Sequence, residues 1–111
     1  MAVVNQYKFV GIDDSTSGAA LSPFGSGNPL VNETYLIKSI LVTSAGTPTV
    51  TILNNSITAI KSAALTANTT TELLTQPLIV EGGKTFTIQS SSSDSFDVAI
   101  SYLNIKKETV T

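Results

Sequence analysis

Apolar and polar residues alternate with a period of two along much of the chain, most clearly from Phe96 to Tyr102. Such alternation is typical of a β-strand with one buried face. Similar segments recur at spacings of roughly 8 to 12 residues, separated by Gly, Pro, Asn and Ser, as in sandwiches and barrels. The sequence therefore predicts an all-β fold, an antiparallel β-sandwich of jelly-roll-like type.

Turn residues and changes of phase predict how the strands connect. Asn54-Asn55 lies between two apolar runs and predicts a tight hairpin. Gly82-Gly83 predicts a second hairpin, with one strand on each side of the glycines. After Tyr102 the apolar positions change phase to Leu103 and Ile105, which predicts either a bulge or a strand that passes from one environment to another.

The segment from Tyr35 to Thr43 carries apolar side chains in both of its alternating sets. A strand with two apolar faces is buried on both sides, whereas a two-sheet sandwich leaves one face of each sheet wet. We therefore predict that one set packs inside the sandwich and that the other contacts a neighbouring subunit. The first set is Leu36, Ile40 and Val42, and the second is Tyr35, Ile37 and Leu41.

The chain of 111 residues is long enough for a single domain, which we assign to residues 1–111. Residues 13–33 are rich in Gly and Pro, which interrupt regular pairing, so they predict a long loop or arm. Within it, Phe24, Pro29 and Leu30 are further candidate contact residues. Residues 106–111 predict a frayed tail.

The composition excludes several classes of function. The chain has no His and no Cys, its six positive residues are all Lys, and its formal net charge is −2. Without His the usual base of a nucleophilic triad is missing, and no Ser-Lys or paired-carboxylate spacing stands out, so we predict no catalytic site. Without Cys there is neither a disulfide nor a thiolate metal site. The scattered lysines form no basic stripe, which argues against a nucleic-acid partner.

Membrane and ligand signals are weak. No run approaches the ~18 apolar residues of a membrane span, and residues 1–12 are too polar for a signal peptide, so we expect an unprocessed chain without a membrane partner. Asp13 and Asp14 offer hard oxygen ligands before Gly18, but the closing Glu of a calcium loop is missing, and turn formation is the alternative. We predict no cofactor.

Three segments resemble small β-sandwich structural proteins of tailed bacteriophage virions. They are Ile37-Lys-Ser-Ile-Leu-Val42, then Pro77-Leu-Ile-Val-Glu-Gly-Gly-Lys-Thr-Phe-Thr-Ile88, then Phe96-Asp-Val-Ala-Ile-Ser-Tyr102. The resemblance covers residues 34 to 105, roughly, and consists in the order of apolar strand, glycine turn, Thr-aromatic strand and final strand. It implies a capsid decoration or cement protein, made in the host cytoplasm and bound to the capsid exterior. Its partners would be the major capsid protein and further copies of itself, as a homo-dimer or homo-trimer.

The sequence thus favours a non-enzymatic virion protein that clamps the capsid. Its predicted contact residues are Tyr35, Ile37, Leu41, Phe24, Pro29 and Leu30. The alternative is a tail, baseplate or fibre module that binds host polysaccharide through residues 90–95 and Tyr102. Tyrosines on strands form sugar-stacking platforms in some proteins and pack in the core in others, and the sequence leaves both open. A hydrolase is the third hypothesis.

Overall fold

The computed structural model describes residues 3–15, 20–25, 27–91 and 95–107. Over these ranges the chain forms antiparallel strands and no helix, so none of the described residues belongs to a helix that could cross a membrane. The all-β antiparallel sandwich predicted from the alternation is confirmed. The strands are β1 Val3–Ser15, β2 Glu33–Ser44, β3 Thr49–Asn54, β4 Ile57–Ala64, β5 Thr69–Glu72, β6 Leu78–Val80, β7 Phe86–Ser90 and β8 Phe96–Lys107.

The strands form two sheets of unequal length. Sheet A has the order β1-β8-β2, and both β5 and β6 pair with the remaining edge of β2. Sheet B has the order β4-β3-β7. The three long strands of sheet A have 12 or 13 residues, whereas those of sheet B have 5 to 8. At about 3.3 Å per residue, sheet A is therefore the longer layer, and its inner face extends past sheet B.

The core lies between the two sheets and consists of aliphatic side chains closed by aromatic rings. Residues 20–25 and 27–32 form the described middle of the predicted arm, and its Leu21 and Phe24 pack against the core. The ring of Phe24 lies 4.8 Å from Tyr35, 4.9 Å from Tyr102 and 5.4 Å from Phe86, measured between centroids. Leu21 forms an isolated bridge to Ile88 on β7. The fully buried aliphatic residues include Ile37, Ile40, Val42, Val50, Ile52, Val80, Ile88 and Ile100.

The predicted boundaries of the arm and the tail differ from the strand ends. Residues 13–15 belong to β1 and residue 33 begins β2, while residues 16–19 and 26 lie outside the described part of the chain. Residues 106 and 107 end β8, and 108–111 lie outside the described part. The assignment of the whole chain to one domain stays a prediction.

The phase predicted for β2 is wrong, because one residue bulges out of the strand. Ile37 pairs with Tyr102 and Ser39 with Ser101, so Lys38 has no partner on β8. An extra residue shifts every following side chain to the other face. The inner face of β2 therefore carries Tyr35, Ile37, Ile40 and Val42, and the outer face carries Leu36 and Leu41.

The hairpin predicted at Asn54-Asn55 is confirmed, with its turn one residue further along the chain. Asn54 pairs with Ile57, so Asn55 and Ser56 are the two central residues of a hairpin between β3 and β4. Both have positive φ, 52° and 62°, as a type I′ turn requires.

The second predicted hairpin is wrong, and so is the bulge, one of the two alternatives for β8 after Tyr102. β6 pairs with β2 in sheet A and β7 pairs with β3 in sheet B, so Gly82-Gly83 joins two sheets and not two neighbouring strands. The alternation of β8 continues unbroken past Tyr102. Leu103 and Ile105 lie on the outer face of sheet A. Their apolar side chains therefore belong to that face and do not mark a bulge.

Candidate functional site

A row of apolar side chains crosses the outer face of sheet A. Tyr7 on β1 lies opposite Leu103 on β8, Leu103 lies opposite Leu36 on β2, and Leu36 lies opposite Ile79 on β6. Directly opposed side chains in a sheet point to the same face, with Cβ atoms about 5 Å apart. Tyr7 is 79% exposed and Ile79 is 54% exposed. We call these four residues the apolar row.

The apolar surface continues beside the row. Phe9, two residues from Tyr7 on the same face of β1, is 68% exposed, and its ring lies over Gly11. Ala99 on β8 and Leu41 on β2 are opposed to each other, and Leu41 is 38% exposed. Contiguous exposed apolar surface of this kind marks contact sites in proteins.

A hollow of about 590 Å³ lies at one end of this outer face. Phe9 and Leu41 contribute apolar walls, and Asp13, Asp97 and Thr70 contribute oxygen atoms. The hydroxyl groups of Thr43 and Thr70 lie 2.8 Å apart. An aromatic ring next to several hydrogen-bonding oxygens suits a sugar ring as well as a protein side chain.

The six predicted contact residues are not brought together. Tyr35 and Ile37 lie in the core, Pro29 is buried, and Phe24 packs on the core from the segment before β2. Leu41, on the outer face of sheet A, and Leu30, in the turn before β2, are exposed. As a set of contact residues the six stay a prediction. The placement favours Leu41 and Leu30 over the four that the fold itself covers.

The apolar row was not predicted from the sequence. Its signal was present in Leu103, whose phase was interpreted as a bulge when it marked a second apolar face. Ile79 carried no such signal, because its strand of three residues is too short for a pattern of alternation.

Tyr102, the residue on which the polysaccharide hypothesis depended, is core. It is 8% exposed, and its ring centroid lies 4.7 Å from that of Tyr35. Burial, together with the nearby Glu33 charge, raises its pKa above the usual value. Residues 92–94 of the serine-rich loop lie outside the described part of the chain.

Solved structures show what this fold is similar to. One is a protein of Bacillus endospore appendages, a family of disulfide-linked pili, with 11% identity and a TM-score of 0.52 over 96% of this chain and 89% of that chain. Another comes from the virus-like particle of the giant freshwater prawn Macrobrachium rosenbergii extra small virus, with 14% identity and a TM-score of 0.54 over 98% of this chain and 82% of that chain. No protein-family model and no curated protein sequence matches the chain. At these identities the similarity is one of fold.

No metal centre is present in the part of the chain that the structure describes, since it holds no group of three acidic, His or Cys side chains. Asp13 is exposed, and the side chain of Asp14 lies outside the described part. Metal binding at this pair stays untested.

A small polar cluster lies at the end of the inner face of sheet A. Glu33 is 7% exposed, accepting a hydrogen bond of 2.9 Å from the Asn104 side-chain amide and one of 3.0 Å from the Leu30 backbone N–H. Burial by itself would raise the pKa of Glu33. The two hydrogen bonds and the positive charges of Lys106 and Lys8 outweigh burial and lower this pKa below its usual value.

This cluster should make stability fall in acid. Because the folded pKa of Glu33 is lowered, its contribution is fully present above the ordinary pKa and is lost as the pH falls through the folded pKa. We expect Glu33→Gln to cost about 1.5 to 3 kcal/mol at pH 7, the range of hydrogen bonds to a charged group, and less at pH 3. Urea unfolding of both proteins at several pH values measures this difference. Glu81→Gln, at an exposed carboxylate, controls for the lost charge. A difference that grows in acid would contradict the expectation.

Proposed function

We propose that this chain is a non-enzymatic structural protein of a phage virion. It would act as a capsid decoration or cement protein that clamps major capsid subunits and binds further copies of itself. The observation that carries the proposal is the apolar row with its surroundings on the outer face of sheet A. This face is a complete, hydrogen-bonded sheet that needs no cover for the fold itself, yet Tyr7, Phe9, Leu41 and Ile79 keep apolar surface in water.

The physical requirement of a clamp fits this face. A protein that binds only the assembled shell stabilises that shell by mass action, and it does so best through a rigid surface that loses little conformational freedom on binding. Leu36, Leu41 and Leu103 lie on the central strands β2 and β8 and meet that condition. The low charge of the chain, 13% of residues against about 25% in typical domains, also leaves little repulsion between neighbouring copies.

The two structures of similar fold support the proposal at a coarser level. Their descriptions name a pilus and a virus-like particle, both of which are assemblies of protein subunits. The pilus is disulfide-linked. This chain has no Cys, so copies of it would have to associate without disulfide links.

The apolar row offers a direct test. Leu103→Lys places a charge in the middle of the row between two apolar neighbours, where docking would bury it, and should weaken attachment at least tenfold, which corresponds to about 1.4 kcal/mol. Ile57→Lys is the matched control, because Ile57 is 67% exposed on β4 of sheet B. The assay adds purified chain back to virions prepared without it and measures co-sedimentation.

Cryo-electron microscopy of the restored virions decides the location. Density on the head exterior with wild-type and Ile57→Lys chains, and its loss with Leu103→Lys, is the expected result. Density on the tail, or equal attachment of all three chains, would overturn the proposal. Binding of the wild-type chain to a glycan array, with loss on Phe9→Ala, would favour the polysaccharide alternative at the hollow on the outer face.

A further inference from the structure

The first strand leaves one edge of sheet A open. β1 pairs with β8 on one side, and among the described residues no strand or backbone hydrogen bond lies on its other side. Its pairing with β8 runs without a shift from Val3 to Ile12. The open edge is therefore an uninterrupted row ten residues long, in which alternate residues present unpaired N–H and C=O groups.

The other strand edges present shorter or less regular rows of unpaired backbone groups. β5 and β6 have 4 and 3 residues, and the backbone C=O of Ile79 on β6 already accepts a hydrogen bond from Asn54. The edge of β7 is bridged by Leu21. β4 is free, but its pairing with β3 shifts register twice and Ser62 has a positive φ of 50°, features that twist an edge away from a partner.

Both faces of the first part of β1 are also open, whereas Val10 and Ile12 further along the strand pack against the core. On the outer face Tyr7 and Phe9 are largely exposed, and on the inner face Gln6 and Lys8 are exposed because sheet B does not cover this end of sheet A. A strand held by one neighbour, with large rings in water, has more to gain from pairing than any other strand in the described part of the fold.

We propose that β1 pairs antiparallel with β1 of a second copy, with Phe9 facing Phe9 across a two-fold axis, so that sheet A continues from one subunit into the next. This inference rests on the self-association in the proposed function, and it assigns that association to an edge, leaving the apolar row free to dock on the shell.

The side chains of the outer face complement one another in this register. Tyr7 of each copy lies opposite Gly11 of the other, and because the Phe9 ring already lies over Gly11, the Tyr7 ring would pack beside that Phe9 ring. Phe9 meets Phe9, and Asn5 lies opposite Asp13, so an amide that donates hydrogen bonds meets a carboxylate that accepts them. Each contact occurs twice by symmetry, except the one on the axis.

Charge argues for the same alignment. A two-fold axis at Lys8 would place Lys8 directly opposite Lys8, and directly opposed like charges destabilise a sheet. An axis at Phe9 places Lys8 opposite Val10. A parallel pairing in register would oppose Lys8 with Lys8 and Asp13 with Asp13.

The size of the contact determines its strength. An aromatic side chain has about 200 Å² of surface, and with Tyr7 79% and Phe9 68% exposed, covering both rings of both copies would bury no more than about 600 Å². Stable interfaces bury about 1,200 Å² or more in total. The strand pair alone is therefore a weak, concentration-dependent contact that becomes effective where copies are held side by side.

Because the chain has no Cys, a disulfide formed by a single-cysteine variant can join two copies only at the introduced residue. Single variants Phe9→Cys and Val31→Cys of the full chain are oxidised at high protein concentration, and disulfide-linked dimer is followed over time. Val31 is 90% exposed and lies outside β1, so it measures random collisions. We expect Phe9→Cys to cross-link about tenfold faster or more, because pairing raises the local concentration of the two thiols. Asn5→Cys and Asp13→Cys should cross-link to each other faster than either does to itself.

Folding and function are checked separately. Phe9→Lys, which opposes two charges on the axis, should abolish the concentration-dependent dimer in sedimentation velocity while keeping the urea midpoint near that of the wild type. Phe9→Cys cross-linking no faster than Val31→Cys, or a maximum at another β1 position, would overturn the pairing. If that happens while wild-type chain still attaches to virion heads, the proposed function stands. Failure of attachment itself would count against the proposed function.

Discussion

The Ile37→Asp variant should fail to fold. Ile37 is fully buried on the inner face of β2, so aspartate there would place an unpaired carboxylate among aliphatic side chains. Burying a polar group without a partner costs several kcal/mol, and a charge costs more. A domain of this size has a total stability of about 5 to 15 kcal/mol. We expect loss of the cooperative unfolding transition in circular dichroism, or loss of soluble protein.

Leu103→Asp is the matched control for this variant. Leu103 adjoins Tyr102, the partner of Ile37, but its side chain lies on the opposite face of the sheet. Leu103 is only partly buried, so the same charge at this position can reach water, and the variant should fold with a urea midpoint close to that of the wild type. A folded Ile37→Asp protein together with an unfolded Leu103→Asp protein would mean that the two faces of sheet A are assigned the wrong way round.

The fold class could be predicted because period-two alternation is a local property. Residues 96–102 show which face of β8 is buried without reference to any other strand, and the structure agrees. The hairpin between β3 and β4 is equally local, since Asn tolerates positive φ and lies between two apolar runs, although the turn forms at Asn55-Ser56 and not at Asn54-Asn55.

The phase of β2 could not be predicted for a physical reason. Both alternating sets of β2 are apolar, so adding one bulged residue, Lys38, leaves a pattern that fits either face equally well. Only the pairing with β8, some sixty residues later in the chain, decides which set is inside. The sequence therefore predicted a second apolar face correctly and assigned Tyr35 and Ile37 to it wrongly.

The same ambiguity affected the candidate site. Leu103 and Ile105 look like a change of phase when β8 is considered alone, and like a continued outer face once Leu36 is placed beside Leu103. The apolar row exists only across strands: its four members come from four strands that are distant in sequence. A surface assembled in this way has no linear motif, so it is visible only in the register.

The face and the edge of sheet A have complementary uses. Docking through the apolar row covers side chains and leaves backbone groups untouched, whereas pairing through β1 uses backbone groups and adds area to the same face. Two paired copies would present two apolar rows in one continuous sheet. Because contacts made together multiply their effective concentrations, even a weak strand pair would strengthen attachment to a repeating shell.

Gly82→Ala should lower the free energy of unfolding more than the same substitution at Gly11, Gly25, Gly27 or Gly83. A Cβ at residue 82 would lie 2.6 Å from the backbone oxygen of Leu30, and 2.7 Å from those of Val31 and Glu33. Backbone oxygens cannot rotate away, so the turn before β2 must move, at a cost of about 3 kcal/mol by comparison with overpacked cores.

Gly27→Ala separates this steric effect from backbone strain. Gly27 has a positive φ of 80° with open space around it, so its variant should lose only about 1 kcal/mol, the cost of the left-handed conformation. Urea unfolding of the two variants beside the wild type measures both losses. The sequence pattern predicts a hairpin at Gly82-Gly83, whereas the close approach of residues 30–33 predicts that Gly82 is required for packing. Equal losses of stability in the two variants would contradict this. They would mean that Gly82 is needed only for its backbone conformation.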